Sequence, residues 1–138
     1  MLTSKYNLRY YHLKHQGRVD MPLLLEGTRF LVDQLAARIN EVVFGFDGSL
    51  ATQDDGGAGQ PGIVVTPTVR VIDDTSIFVE ASVPITEVFT RPFREVVLQY
   101  RNPSDDTDTT AIFRYAYNGI NKDSDTEIRF SAIIEVSE

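Results

Sequence analysis

The sequence predicts a mainly β fold, an antiparallel β-sandwich with one short helix near its N-terminal end. Three observations carry this. Apolar residues recur with period two from residue 40 onward, clusters of Gly, Asn, Asp and Pro punctuate them, and only residues 26–39 carry a helical period. With 138 residues, 42% of them hydrophobic, the chain can bury one core without disulfides or metal. The expected organisation is an N-terminal arm over residues 1–20 and a sandwich domain over 21–138.

Residues 1–20 are polar and aromatic, with Tyr6, Tyr10 and Tyr11 set among charges and both histidines. Alternation at Tyr6, Leu8 and Tyr10 allows a short strand, but the segment reads as an arm that lies on another surface. Four of the 13 basic residues fall here, Lys5, Arg9, Lys14 and Arg18, against an acidic remainder. Tyr and Arg are enriched at protein interfaces. The arm residues Tyr6, Arg9, Tyr10, Tyr11 and Arg18 are therefore the expected interface.

EGTRFLVDQLAARI, residues 26–39, is the expected helix. Leu31, Leu35, Ile39 and Val42 form one apolar stripe, Glu26 suits the first turn, and Gly27 or Thr28 serves as the expected cap. Arg29 and Asp33 are spaced for an i,i+4 pair, and Asn40 ends the helix.

The strands follow: NEVVFGFD, GIVVTPTVRVID, SIFVEASV, REVVLQYRN, TTAIFRYAYN and TEIRFSAIIEV. In the third, Ile77, Val79, Ala81 and Val83 share one face. In the last, Ile128, Phe130, Ala132, Ile134 and Val136 point inward. Pro67, lacking an N–H, puts its strand at a sheet edge. Asp73-Asp74-Thr75, Asn102 to Asp106 and Asn118-Gly119 supply the turns.

The stretch GFDGSLATQDDGGAGQPG, residues 45–62, holds six of the nine glycines and three aspartates, with no positive charge. It lacks the Lys and hydroxyl that close a P-loop, it opens no helix, and its aspartates repel phosphate. It reads as a long flexible surface loop. His12 and His15 are three apart but have no third ligand in pattern, so they read as surface or interface side chains. Asp105, Asp106, Asp123 and Asp125 are the weak calcium candidates. The series Asn121, Asp123, Asp125, Glu127 starts like a calcium loop, but Thr126 and Ala132 stand where that loop needs Gly and Glu. The two acidic clusters could share an ion only if their turns share one end of the sandwich. No nucleophile elbow occurs, and no catalytic residue or cofactor is expected.

Formal charge is −7, which opposes a nucleic-acid surface because phosphate contacts call for Lys and Arg. Cysteine is absent, which excludes thiol chemistry. No apolar run is long enough to span a bilayer, and no secretory leader is evident, so synthesis in the cytoplasm is expected.

Three stretches carry a resemblance: LLLEGTRFLVDQLAARI (23–39), INEVVFGFDGSLATQDDGGAGQP (39–61), and REVVLQYRNPSDDTDTTAIFRYAYNGINKDSDTEIRFSAIIEV (94–136). Their order resembles that of small phage tail-fibre and tail-collar structural proteins. Those begin with a helix of the type LLTxAGLxLLAxxL, continue with a strand ITHVxxGTG and a Thr/Ala/Pro/Asp-rich loop, and close with GLFDxxGxLLARxxFxxxxKxxDxELxVxxxIxF. The resemblance implies a helix followed by a β-sandwich. It also implies a non-enzymatic virion component of the tail, baseplate, collar or fibre base, made in the host cytoplasm. Its partners would be other virion proteins and further copies of itself, as a homo-oligomer or ring. A carbohydrate- or receptor-binding module and a head decoration protein are the alternative readings.

Overall fold

The computed structural model describes residues 24–136 with their side chains and, as backbone, residues 2–7, 12–14, 18–20 and 137. Ten strands and one helix occur among them: β1 Leu2–Asn7, β2 His12–Lys14, β3 Arg18–Asp20, α1 Leu25–Arg38, β4 Glu41–Gly45, β5 Pro61–Val65, β6 Thr68–Asp73, β7 Ser76–Val83, β8 Phe93–Asn102, β9 Asp105–Ile120 and β10 Ile128–Ser137. The fold is mainly β with one short helix, as the sequence predicts, and its two four-stranded sheets are what a sandwich requires. One sheet has the order β1-β10-β7-β6 and the other β5-β4-β8-β9, while β2 and β3 pair with each other. The first compact unit gathers Met1–Ala37, Val69–Val79 and Ser131–Glu138; the second gathers Arg38–Thr68 and Glu80–Phe130.

In the first sheet, β1 runs parallel to β10, with Leu2 opposite Ala132 and Asn7 opposite Ser137. The expected arm thus contains a strand of this sheet. Strand β7 spans the residues the alternation marks, and Ile77, Val79, Ala81 and Val83 are all buried. The five inward residues expected in the last strand are buried too. Asp73 closes the β6–β7 turn by accepting from the Thr75 amide at 2.9 Å and the Ser76 hydroxyl at 2.8 Å.

Helix α1 departs from the expectation in three details. Its buried face centres on Thr28 and Val32, with Leu31 and Leu35 half-buried, so the stripe lies a fraction of a turn from the predicted one. Neither Gly27 nor Thr28 caps it: Thr28 is already helical, its amide bonded to the Leu24 carbonyl at 2.9 Å. Arg29 leaves Asp33 and pairs with Asp74 at 2.9 Å, because the β6–β7 turn offers a carboxylate in reach.

The second sheet is antiparallel throughout. Glu41–Gly45 of β4 runs against Gln99–Glu95 of β8, and β9 covers the other side of β8. The long segment expected as a single strand, residues 62–73, is two strands broken at Thr66-Pro67: β5 pairs with β4, whereas β6 stands beside β7 in the other sheet. Pro67 donates no ladder bond, and both flanking strands lie at an edge of their sheets, which is the position predicted for it. Asn40 ends the helical segment by imitating a strand. Its side-chain amide donates to the Arg101 carbonyl at 2.9 Å and its carbonyl accepts from the Arg101 amide at 2.8 Å.

Candidate functional site

The densest polar construction lies where the Gly-rich loop meets the second sheet. Val97 of β8 stands opposite Arg114 of β9, and Glu95, two residues along β8, is therefore the diagonal neighbour of Arg114 on one face. Glu95 is fully buried. Its carboxylate accepts from the backbone amides of Asp47 at 2.8 Å, Gly59 at 2.9 Å and Gln60 at 3.0 Å, and from Arg114 Nε at 3.0 Å. Arg114 donates onward to the carbonyls of Ser49 and Asp47, both at 3.0 Å, and to Asp55 at 3.1 Å. Two charges from neighbouring strands thus hold both limbs of the loop.

The electrostatics follow from that geometry. Burial pushes the Glu95 pKa up, but the amides of Gln60, Asp47 and Gly59 and the Arg114 guanidinium outweigh it and hold the carboxyl below the ordinary glutamate range. Desolvation likewise opposes the Arg114 charge, and Glu95, Asp55 and Asp47 more than restore it. Tyr117 is pushed up to about 12, first by burial and then by the negative charge of Glu95. All three groups keep fixed charge states at neutral pH, which suits a fastener rather than an acid–base catalyst.

The loop's amides do converge on an anion, as in a phosphate cradle, but that anion is the protein's own Glu95. The loop is consequently fastened rather than flexible, which corrects the reading from composition. Gly45 is required by the closeness of this contact: a Cβ there would stand 2.6 Å from the Gln60 carbonyl oxygen and 2.6 Å from the Glu95 carboxylate. Aromatic rings complete the base, with Phe46 stacked on Phe93 at 5.2 Å and Phe89 against Phe93 at 4.8 Å. Arg91 lies over the Phe46 ring at 4.7 Å. Leu50, by contrast, stands 87% exposed on the fastened loop.

A second fastener holds residues 84–92. Lys122 is 1% exposed, and its ammonium donates to the carbonyls of Ile85 at 3.2 Å, Glu87 at 2.5 Å and Asp123 at 2.5 Å. The Phe89 amide donates to the Lys122 carbonyl at 3.1 Å.

The calcium candidates are not brought together. Asp105 opens β9, while Asp123 and Asp125 follow its far end, so the turns do not share an end of the sheet. Asp105 accepts from the Thr107 amide and hydroxyl, and Asp123 from the Asp125 amide and the Thr126 hydroxyl; each acts as a turn former. Asp106 and Asp125 are exposed beside them. Among the described residues no three His, Cys, Asp or Glu side chains are grouped to hold a metal ion. Of the expected interface, Tyr6 lies in β1 and Arg18 in β3. Their side chains, and Arg9, Tyr10, Tyr11 and His15 altogether, lie outside the described residues.

Glu95 and Arg114 were missed from sequence because they stand 19 residues apart on different strands and meet only through the β8–β9 register. A signal existed: Glu95 is in phase with Phe93 and Val97, an apolar register in which an acid needs a partner. Comparison with known proteins adds nothing to the geometry, since no family model, curated protein or solved structure matches the chain. No helix among the described residues is long and apolar enough to cross a membrane.

Proposed function

We propose that the chain is a non-enzymatic structural protein of a bacteriophage virion, placed at the tail, baseplate, collar or fibre base, where it mediates assembly contacts. The sequence resemblance over residues 23–136 supports this reading. The structural observation that carries it is how the charge is used at the loop base. Glu95 and Arg114 are spent on backbone groups of the protein itself, and no buried side-chain nitrogen or oxygen among the described residues lacks a partner. Such a site fixes shape. What it offers outward is a rigid loop and apolar side chains, the equipment of an assembly contact. Mass spectrometry of purified particles of the encoding phage tests the proposal: several copies per particle are expected, and absence from mature particles overturns it.

A carbohydrate-binding role has one observation in its favour. Tyr115 is exposed and stacks on Tyr117 at 6.2 Å with an interplanar angle of 20°, a flat ring available to a sugar face. A glycan array probed with and without calcium separates the two readings; binding lost in Tyr115→Ala would favour the sugar.

A further inference from the structure

The segment pinned by Lys122 makes an apolar surface with an acidic rim. Three carbonyls converging on one ammonium place Ile85, Glu87 and Asp123 side by side in backbone. Phe93 stands opposite Ile120, which brings the end of β9 along the same segment. Ile85 is 49% exposed, Val88 59% and Ile120 45%. Around them Glu87, Asp123 and Asp125 are exposed; the Lys122 ammonium is buried and committed to carbonyls, while the exposed Arg91 lies over the Phe46 ring and Arg94 lies beside Gly48 and Gly119. Such a patch selects a partner that is apolar or aromatic and positively charged.

The chain contains one stretch of that chemistry. Residues 1–20 hold four basic residues and one acid, whereas residues 21–138 hold nine basic and nineteen acidic ones. Leu2–Asn7 is already paired with β10. Beyond it, LRYYHLKHQGRVD carries Arg9, Lys14 and Arg18 together with Tyr10, Tyr11 and two leucines. Its strands β2 and β3, three residues each, pair only with each other among the described residues, and two-stranded ribbons of that length need a supporting surface.

We infer that Ile85, Val88 and Ile120, with their acidic rim, are the docking surface for residues 8–20 of a second copy of this chain. The inference rests on the assembly role proposed above and names its contact. Like-charged bodies repel, so copies meet through the one segment of opposite sign.

The test is sedimentation equilibrium on the full chain. Wild type is expected to self-associate, less strongly as ionic strength rises. Val88→Glu is expected to weaken association about tenfold or more, with an unchanged circular dichroism spectrum; Val88→Ser serves in its place if that variant does not fold. A rim variant, Glu87→Lys with Asp125→Lys, and a segment variant, Arg9→Glu with Lys14→Glu and Arg18→Glu, should each associate weakly alone. Their equimolar mixture should recover association, because the reversed segment now meets the reversed rim. Monomeric wild type, association untouched by the folded patch variant, or a mixture no stronger than its components would each overturn the inference. None of these results depends on whether the chain is found in particles, so the two proposals fail separately.

Discussion

The Gly-rich loop and the 84–92 segment are both held by buried charge, but by opposite chemistry. The first is gripped by a carboxylate that accepts backbone amides and a guanidinium that donates to backbone carbonyls, so both signs are buried together. The second is gripped by an ammonium that donates to three backbone carbonyls, with the exposed Asp123 carboxylate acting on it only through space. A buried ion pair leaves an uncompensated charge when either partner is lost, whereas removing a lysine from carbonyls leaves only dipoles short of a donor. The two loops should therefore fail to different degrees.

The largest effect belongs to the pair. Arg114→Ala leaves Glu95 buried without its counter-ion and should cost about 3–5 kcal/mol in urea unfolding. Glu95→Gln removes the charge at nearly constant shape and should shift the acid limb of stability. The folded-state pKa of Glu95 lies below its ordinary value of about 4.3, so its contribution is complete above that value and is lost as pH falls through the folded one. A plot of unfolding midpoint against pH should fall less steeply in acid for Glu95→Gln than for wild type.

Next comes Lys122→Met, which keeps the packing but strips three carbonyls of a donor. Unfolding should register about 2–3 kcal/mol. Gly45→Ala follows at about 1–2 kcal/mol, the added methyl pressing on the Gln60 carbonyl and the Glu95 carboxylate. Smallest of all is Arg29→Ala. Its pair with Asp74 is about half exposed on both sides, so the unfolding midpoint should stay within error of wild type.

The same contrast explains what was legible in the sequence. Strands β7 and β10 could be read because one-sided burial writes a period of two into the chain, and Ile77 to Val83 show it without interruption. The helix could be read to within one residue at either end. Three things could not. The break at Pro67 hides inside a continuous apolar run, since β5 and β6 look alike although they belong to different sheets. The partner of Arg29 lies 45 residues away, beyond any local spacing rule. The loop's rigidity depends on Glu95 and Arg114, which meet only after β8 and β9 choose their register. Composition made residues 45–62 look flexible because glycine frees the backbone; the compensating contacts are long-range.

Amide hydrogen exchange measured by NMR at Asp47, Gly59 and Gln60 tests the central claim most directly. The account predicts that these three loop amides are strongly protected in wild type and exchange much faster in Glu95→Gln, while strand amides of β4 are little changed. Rapid exchange at these positions in wild type, or protection that survives the loss of the Glu95 charge, would contradict it.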